Sequence, residues 1–198
     1  MKAWVCMALT GAIWLSSSGL GPGFADDKTP EISDAERVRQ LATSRDKAVR
    51  EQAASALGDR AIAGTVVLTD QDRKTLNQVV AAAIAAAASP RDRNESELQI
   101  QRLWSLAIPA LLDGMDRNET FSFSTRMLTV MRDEAVVKAV IEKARTNKDP
   151  NRNGLYRFAL GGMKGATRPR IAGRSGIDEA EADRLYRELI EPALETLP

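Results

Sequence analysis

The chain of 198 residues contains no histidine, and its one cysteine, Cys6, lies close to the N-terminus. Zinc sites built from His and Cys, Ser-His-Asp and Cys-His catalysis, iron–sulfur clusters and internal disulfides all require side chains that the chain lacks. Aromatic residues make up only 5% of the sequence, and 28 Lys and Arg stand against 27 Asp and Glu. A net charge near zero gives no general attraction to nucleic acids or acidic membranes. The composition therefore predicts no metal site, no cofactor and no nucleic-acid partner.

The first 25 residues have the pattern of a cleavable signal peptide. Lys2 supplies a positive start, an apolar run follows over 3–15, and Gly23 and Ala25 are small residues at positions −3 and −1 of a cut after Ala25. The run is shorter than the roughly 20 residues that a membrane-spanning helix needs, and an uncleaved anchor is the alternative. We therefore expect a secreted or periplasmic protein, with no stable membrane insertion after cleavage.

The rest of the chain is expected to form a flexible stretch over 26–32 and a single helical domain over 33–198. Apolar residues recur there at the 3.6-residue spacing of amphipathic helices. The clearest stripes contain Leu76, Val79, Val80, Ala83, Ile84 and Ala87; Ile100, Leu103, Trp104, Ala107, Ile108 and Leu111; Val136, Val137, Val140, Ile141 and Ala144; and Ala182, Leu185, Tyr186, Leu189, Ile190, Ala193 and Leu194. The predicted class is all-α, with about eight helices joined by short connections.

Helix starts are also visible in the sequence. Ser33 with Glu36, and Asn94 with Glu97, have the spacing of capping boxes, and Asp149-Pro150 has the composition of a cap followed by a first-turn proline. The only β-like run, over 65–68, has no partner strand, so we interpret it as a loop or an edge fragment.

One segment carries a family resemblance. From Asp46 the chain reads D-K-A-V-R-E-Q-A-A-S-A-L-G and ends at Gly58. This segment resembles the second helix of a HEAT repeat, which begins with an acidic cap, continues with Val-Arg and paired alanines and ends in Ala-Leu-Gly. In that pattern Asp46 caps the helix, Val49 and Leu57 enter the core, and Gly58 ends the helix in a left-handed turn.

Partial echoes of the repeat occur at 108–112, 149–161 and 190–194. The resemblance implies antiparallel helix pairs stacked as a short HEAT-like α-solenoid, with an irregular helical bundle as the alternative. It also implies that Arg50 bonds toward the acidic cap of a neighbouring repeat. Stacked repeats present extended surfaces to other proteins, so the implied function is non-catalytic binding of another protein, whose identity and stoichiometry the sequence leaves open.

The segment 161–176 has the most unusual composition in the chain. It contains five glycines and no acidic residue, and its cations are Lys164, Arg168, Arg170 and Arg174. A positive segment in an otherwise neutral protein predicts docking of an anionic partner. A plain charged linker has the same composition and is the alternative interpretation.

An enzyme remains a second hypothesis. Glu188, Glu191 and Glu195 share one helix face, and a pair of carboxylates can cleave glycosides without histidine. Charged residues on an exposed helix produce the same spacing, so we expect no catalysis.

A calcium-dependent structural module is a third hypothesis. Asp149, Asn151, Asn153 and Gly154 match the opening of a calcium-binding loop. The glutamate that should stand at the twelfth position is replaced by Leu160, and the helix start at Asp149 explains the same residues.

Overall fold

All regular structure in the described part of the chain is helical. The computed structural model describes residues 32–164 and 179–197. The α-helices in these ranges are α1 (Asp34–Thr43), α2 (Lys47–Ile62), α3 (Asp70–Ala86), α4 (Arg93–Leu103), α5 (Ile108–Gly114), α6 (Asn118–Val130), α7 (Glu134–Thr146), α8 (Pro150–Gly162), α9 (Glu179–Leu185) and α10 (Glu191–Thr196). A 3-10 turn covers Trp104–Ala107 and a π turn covers Tyr186–Ile190. The predicted all-α class is confirmed. Because the two short turns join α4 to α5 and α9 to α10, the described ranges contain eight uninterrupted helical segments, as expected.

Several predictions concern residues outside the described ranges. They are the signal peptide over 1–25, the stretch 26–31, and Arg168, Arg170 and Arg174 of the basic segment. The β-like run at 65–68 is described, and it is a loop without strand geometry. Within the described ranges, no helix combines the length and the apolar composition needed to cross a bilayer.

The first eight helices contact one another as four pairs that follow one another in chain order. Each pair consists of two contacting helices that are neighbours in the sequence: α1 with α2, α3 with α4, α5 with α6, and α7 with α8. Between pairs, α3 contacts α1 and α5, α5 contacts α7, and the even-numbered helices contact one another in the same order. The main contacts therefore run between neighbours in the stack, which is the predicted arrangement of stacked helix pairs.

The apolar stripes meet in one continuous core. Leu57, Leu111, Leu128 and Leu160, from α2, α5, α6 and α8, are fully buried members of this core. Each buried leucine contributes about 1.5–3 kcal/mol relative to exposure in water. The HEAT pattern predicts that Val49 enters the core, but in the structure Val49 is only half-buried.

Three of the predicted helix starts are confirmed and one is wrong. The side chains of Ser33, Asp46 and Asp149 accept hydrogen bonds from backbone amides in the first turns of α1, α2 and α8. Asn94 does not cap α4, because that helix already begins at Arg93. Asp92, the residue before α4, has αR geometry, and its side chain accepts no hydrogen bond from the first turn.

The prediction that Gly58 ends its helix is wrong. Helix α2 continues through the buried Gly58 to Ile62, because residues 59–62 are compatible with a further helical turn. The left-handed residue is Gly64, whose φ of +68° lets the Thr65 amide donate to the carbonyl of Arg60 at 2.9 Å.

The predicted continuous stripe over 100–111 is broken at Trp104. Pro109 has no N–H with which to bond the carbonyl of Ser105, so one regular helix cannot pass through this stretch. Trp104 takes a φ of +53°, and its indole N–H donates to Asp133 Oδ2 at 3.0 Å. The bend separates α4 from α5 and so starts a new pair in the stack.

Candidate interaction surface

The predicted basic site is described at one residue. Lys164 is exposed directly after α8, and its ammonium lies 4.6 Å from the centroid of the Tyr186 ring. This cation–π contact connects the end of α8 to the C-terminal helices. The other three predicted cations lie outside the described residues, so no geometry for the set can be derived.

A groove between α6 and α8 has the most apolar lining of the concave surfaces described. Its volume is about 340 Å³, and we call it the α6–α8 groove. The α6 side contributes Phe121, Ser122, Thr125, Arg126, Thr129 and Val130, and the α8 side contributes Phe158, Ala159 and Gly162. Both helices belong to the even-numbered set, which makes this surface the product of two neighbouring pairs.

Phe158 is the most distinctive side chain of the α6–α8 groove, because 72% of it is exposed. Tyr156, Ala159 and Leu160 form the buried stripe of α8. A residue two positions after Tyr156 lies on the opposite side of a helix, so Phe158 points away from the core. Sequence analysis missed this residue, although a phenylalanine out of phase with its own helix stripe is a signal that could have found it.

Small side chains form the floor of the α6–α8 groove. The hydroxyl of Thr129 donates to the carbonyl of Thr125 at 2.9 Å. The hydroxyl of Thr125 is itself buried and has no hydrogen-bond partner within the described structure. A Cβ added at Gly162 would meet no atom within 4 Å, so this end of the groove is open.

Arg126 is the only charged residue in the lining of the α6–α8 groove as described. Its guanidinium donates to Glu97 of α4 and lies 5.9 Å from the centroid of the Phe123 ring. Half of the Arg126 side chain remains exposed. The groove thus combines apolar walls with a half-exposed guanidinium at its rim, which is paired with Glu97.

A polar cluster holds α8 in the orientation that exposes Phe158. Asp116, in the loop before α6, accepts hydrogen bonds from the buried Tyr156 hydroxyl and, at 2.6 Å, from the Lys143 ammonium of α7. Partial burial works to raise the pKa of Asp116, but the hydrogen bonds from Lys143 and Tyr156 outweigh burial and hold that pKa below its usual value. Burial and the Asp116 carboxylate together raise the pKa of Tyr156. The phenol is therefore a permanent donor at neutral pH, and its role is structural.

A second groove, between the first two pairs, has about 410 Å³ of space and a more polar lining. Arg50, which lines it, donates to the carbonyls of Ser44 and Arg45 and lies 3.4 Å from Glu95 in the first turn of α4. The hydrogen bond from Lys47 and the charges of Lys47 and Arg50 lower the pKa of Glu95. The charged groups of Lys47, Arg50 and Glu95 pair with one another and thereby connect the first two helix pairs. Few of their hydrogen-bonding groups are left to recognise a ligand.

The residues of the calcium hypothesis lie on a helix. Asp149 caps α8, and Asn151, Asn153 and Gly154 lie within its first two turns. Residues two apart on a helix point to different sides, so these side chains do not surround a common point. In the described residues, no group of three or more His, Cys, Asp or Glu side chains comes together in a way that could hold a metal ion.

The carboxylates of the enzyme hypothesis lie on the surface. Glu188, Glu191 and Glu195 are all exposed. Glu188 pairs with Arg184 at 2.9 Å, and Arg184 also pairs with Glu134 of α7 at 3.1 Å. These pairs attach the C-terminal helices to α7, and the three carboxylates do not enclose a cleft.

Comparison with known proteins identifies no relative: no protein-family model, no curated protein and no solved structure matches this chain.

Proposed function

We propose that this chain is a non-catalytic module that binds another protein through the α6–α8 groove. The observation that carries the proposal is the exposed side chain of Phe158 beside an apolar concave surface. Leaving a phenylalanine in water forgoes about 1.5–3 kcal/mol of burial free energy. Aromatic side chains next to a pocket are frequent hot spots of protein interfaces, because a partner can desolvate them completely.

The dimensions of the groove support this function. On the α6 side its lining extends from Phe121 to Val130, nine residues apart. At a rise of 1.5 Å per residue this is about 13 Å, or two and a half helical turns. A groove of this length accepts the apolar face of a short amphipathic helix, which would present side chains at i, i+3 or i+4, and i+7.

The stacked pairs also fit the HEAT-like resemblance. Under that resemblance the even-numbered helices form one layer of a repeat array. Arg50 lies 3.4 Å from Glu95 in the first turn of α4, whereas the resemblance implies a contact with the cap of that helix, which is Asp92. The signal-peptide pattern supports a secreted or periplasmic location for such a module. The proposal assigns no reaction, cofactor or metal to the chain.

Affinity capture from the native envelope or secretome tests the proposal. Three baits are compared: the wild-type chain, Phe158→Gln, and Ile62→Gln as a matched control. Ile62 is 55% exposed at the end of α2, and it does not line the α6–α8 groove. We expect the wild-type and Ile62→Gln chains to capture the same defined protein and Phe158→Gln to lose it. Equal capture by all three would contradict a role for the groove.

A further inference from the structure

The polar groups of the α6–α8 groove leave hydrogen-bond donors for a partner. Thr125 Oγ1 is buried without a hydrogen-bond partner among the described residues, and Arg126, next to it, keeps half of its side chain in solvent. A guanidinium has donors only, and a hydroxyl satisfies itself by donating to an oxygen. Of these two groups only Arg126 can be reached by a partner, because the Thr125 hydroxyl has almost no solvent-accessible surface.

The charge around the groove has one predominant sign. From Pro150 to Lys164 the cations are Arg152, Arg157 and Lys164, and no acidic residue occurs. In the sequence this acid-free run continues to residue 177, although the chain as a whole carries nearly equal numbers of both signs. On α6 the single Glu119 is balanced by Arg126. Arg152 and Arg157 donate to the carbonyls of Met115 and Leu197, so they lie on α8 without lining the groove. The α8 helix therefore contributes only an excess of formal positive charge near the groove, which favours an acidic partner.

We infer that the α6–α8 groove binds an amphipathic helix that carries acidic side chains beside its apolar face. This inference rests on the proposed function and names the chemistry of the partner. The apolar face would cover Phe121, Val130 and Phe158. A carboxylate at its edge would pair with the exposed part of Arg126. A concave surface receives side chains, whereas a flat anionic membrane does not enter it, so the geometry favours a helix over a lipid surface.

Selection from a displayed peptide library tests this inference directly. The peptides are 16 residues long, with leucine fixed at helical spacing and the remaining positions randomised among Glu, Lys, Gln and Ala. Selection on the wild-type chain is compared with selection on Phe158→Gln. We expect Glu to be enriched over Lys on the wild-type chain and no enrichment on Phe158→Gln.

The affinity of the most enriched peptide for variants of Arg126 is then measured by fluorescence anisotropy. We expect Arg126→Glu to weaken its binding about tenfold, because an attraction at a partly exposed site becomes a repulsion. Glu97→Gln is the matched control, since it frees Arg126 from its internal partner and should leave binding equal or tighter. Added salt should weaken binding to the wild-type chain.

The outcomes separate the inference from the proposed function. The selected peptides could depend on Phe158 and yet be enriched in Lys or show no preference between charges. That result would overturn the inference of an acidic partner and would retain the groove as the interaction site. If the same peptides are selected equally well on Phe158→Gln, both the proposed function and the inference of an acidic helix at the α6–α8 groove are contradicted. Absence of any selected peptide, together with Phe158-dependent binding to vesicles containing anionic phospholipid, would replace the helical partner with a membrane surface.

Discussion

Replacing Gly114 with alanine tests how closely α5 and α6 pack. A Cβ at position 114 would lie 2.2 Å from the Oγ of Ser124 and 3.3 Å from its Cβ, and Ser124 is fully buried. In an open helix the substitution would stabilise the fold by roughly 0.5–1 kcal/mol, because glycine loses more backbone entropy on folding. Forcing an extra carbon into a packed core costs about 1–3 kcal/mol. We expect Gly114→Ala to lower the free energy of unfolding by about 1–2 kcal/mol.

A double-mutant cycle combines Gly114→Ala with Ser124→Ala, which removes the clashing oxygen. The Ser124 hydroxyl is buried and has no hydrogen-bond partner in the described structure. Its removal should be neutral or should stabilise the fold by up to about 1 kcal/mol, since an unsatisfied buried polar group is costly. In the Ser124→Ala background, Gly114→Ala should be close to neutral, because the closest remaining contacts are 3.3 Å to the Cβ of residue 124 and 3.6 Å to the Oγ1 of Thr120.

Urea denaturation followed by far-UV circular dichroism measures the four proteins of this cycle. The expected coupling energy between positions 114 and 124 is about 1–2 kcal/mol, within the range of contacting residues. The reasoning fails if Gly114→Ala costs the same in both backgrounds, or if it stabilises the protein with Ser124 in place. Equal slopes of the denaturation curves would show that the variants unfold from the same compact state.

Three further predictions concern the polar contacts between helices. The pKa of the Asp116 carboxylate is lowered in the fold, so its stabilising contribution is present above its unfolded pKa of about 3.9 and is lost as the pH falls through the lower folded value. In urea denaturation from pH 5 to pH 2, the free energy of unfolding of the wild-type chain should therefore fall more steeply than that of Asp116→Asn. Parallel curves for the two proteins would contradict this. The buried Asp34 at the start of α1 pairs with Arg60 at 2.8 Å and with Arg37 at 3.2 Å, and it accepts the Val67 amide at 2.9 Å. Asp34→Ala should lower the free energy of unfolding by about 2–3 kcal/mol in the same assay, because three partners lose their acceptor. A loss below about 0.5 kcal/mol would refute the network. Trp104→Phe removes the indole bond to Asp133 and should cost about 1 kcal/mol by thermal denaturation; an unchanged midpoint would show that this bond contributes nothing to the bend.

Most of the helices could be predicted from the sequence, because amphipathic spacing records which face each one buries. The stripe of α7, which contains Val136, Val140 and Ile141, is buried as predicted. Local capping chemistry was also readable, since Asp46 and Asp149 need only amides within the next turn. The failures at Gly58 and Trp104 have a different origin. Whether a helix continues past a glycine or breaks at a tryptophan depends on what the next helix packs against, which local spacing does not contain.

The candidate site was also only partly predictable from the sequence. The sequence carried the basic segment 161–176, which predicted an anionic partner, and the resemblance of 46–58 to a HEAT helix, which implied a protein partner. It did not reveal the α6–α8 groove, because Phe121 and Phe158 are 37 residues apart and meet only when two neighbouring pairs stack.

By itself the sequence determined that the described chain is helical, which faces of the helices are apolar, and that His- and Cys-based chemistry is absent. Those properties follow from residue type and spacing within one helix, at separations of three or four residues. Only the tertiary structure decided that Phe158 stays in solvent, that Thr125 keeps an unsatisfied hydroxyl, and that Gly114 and Ser124 share one space. Exposure, hydrogen bonding and close contact are properties of pairs of helices, and they exist only once the helices are stacked.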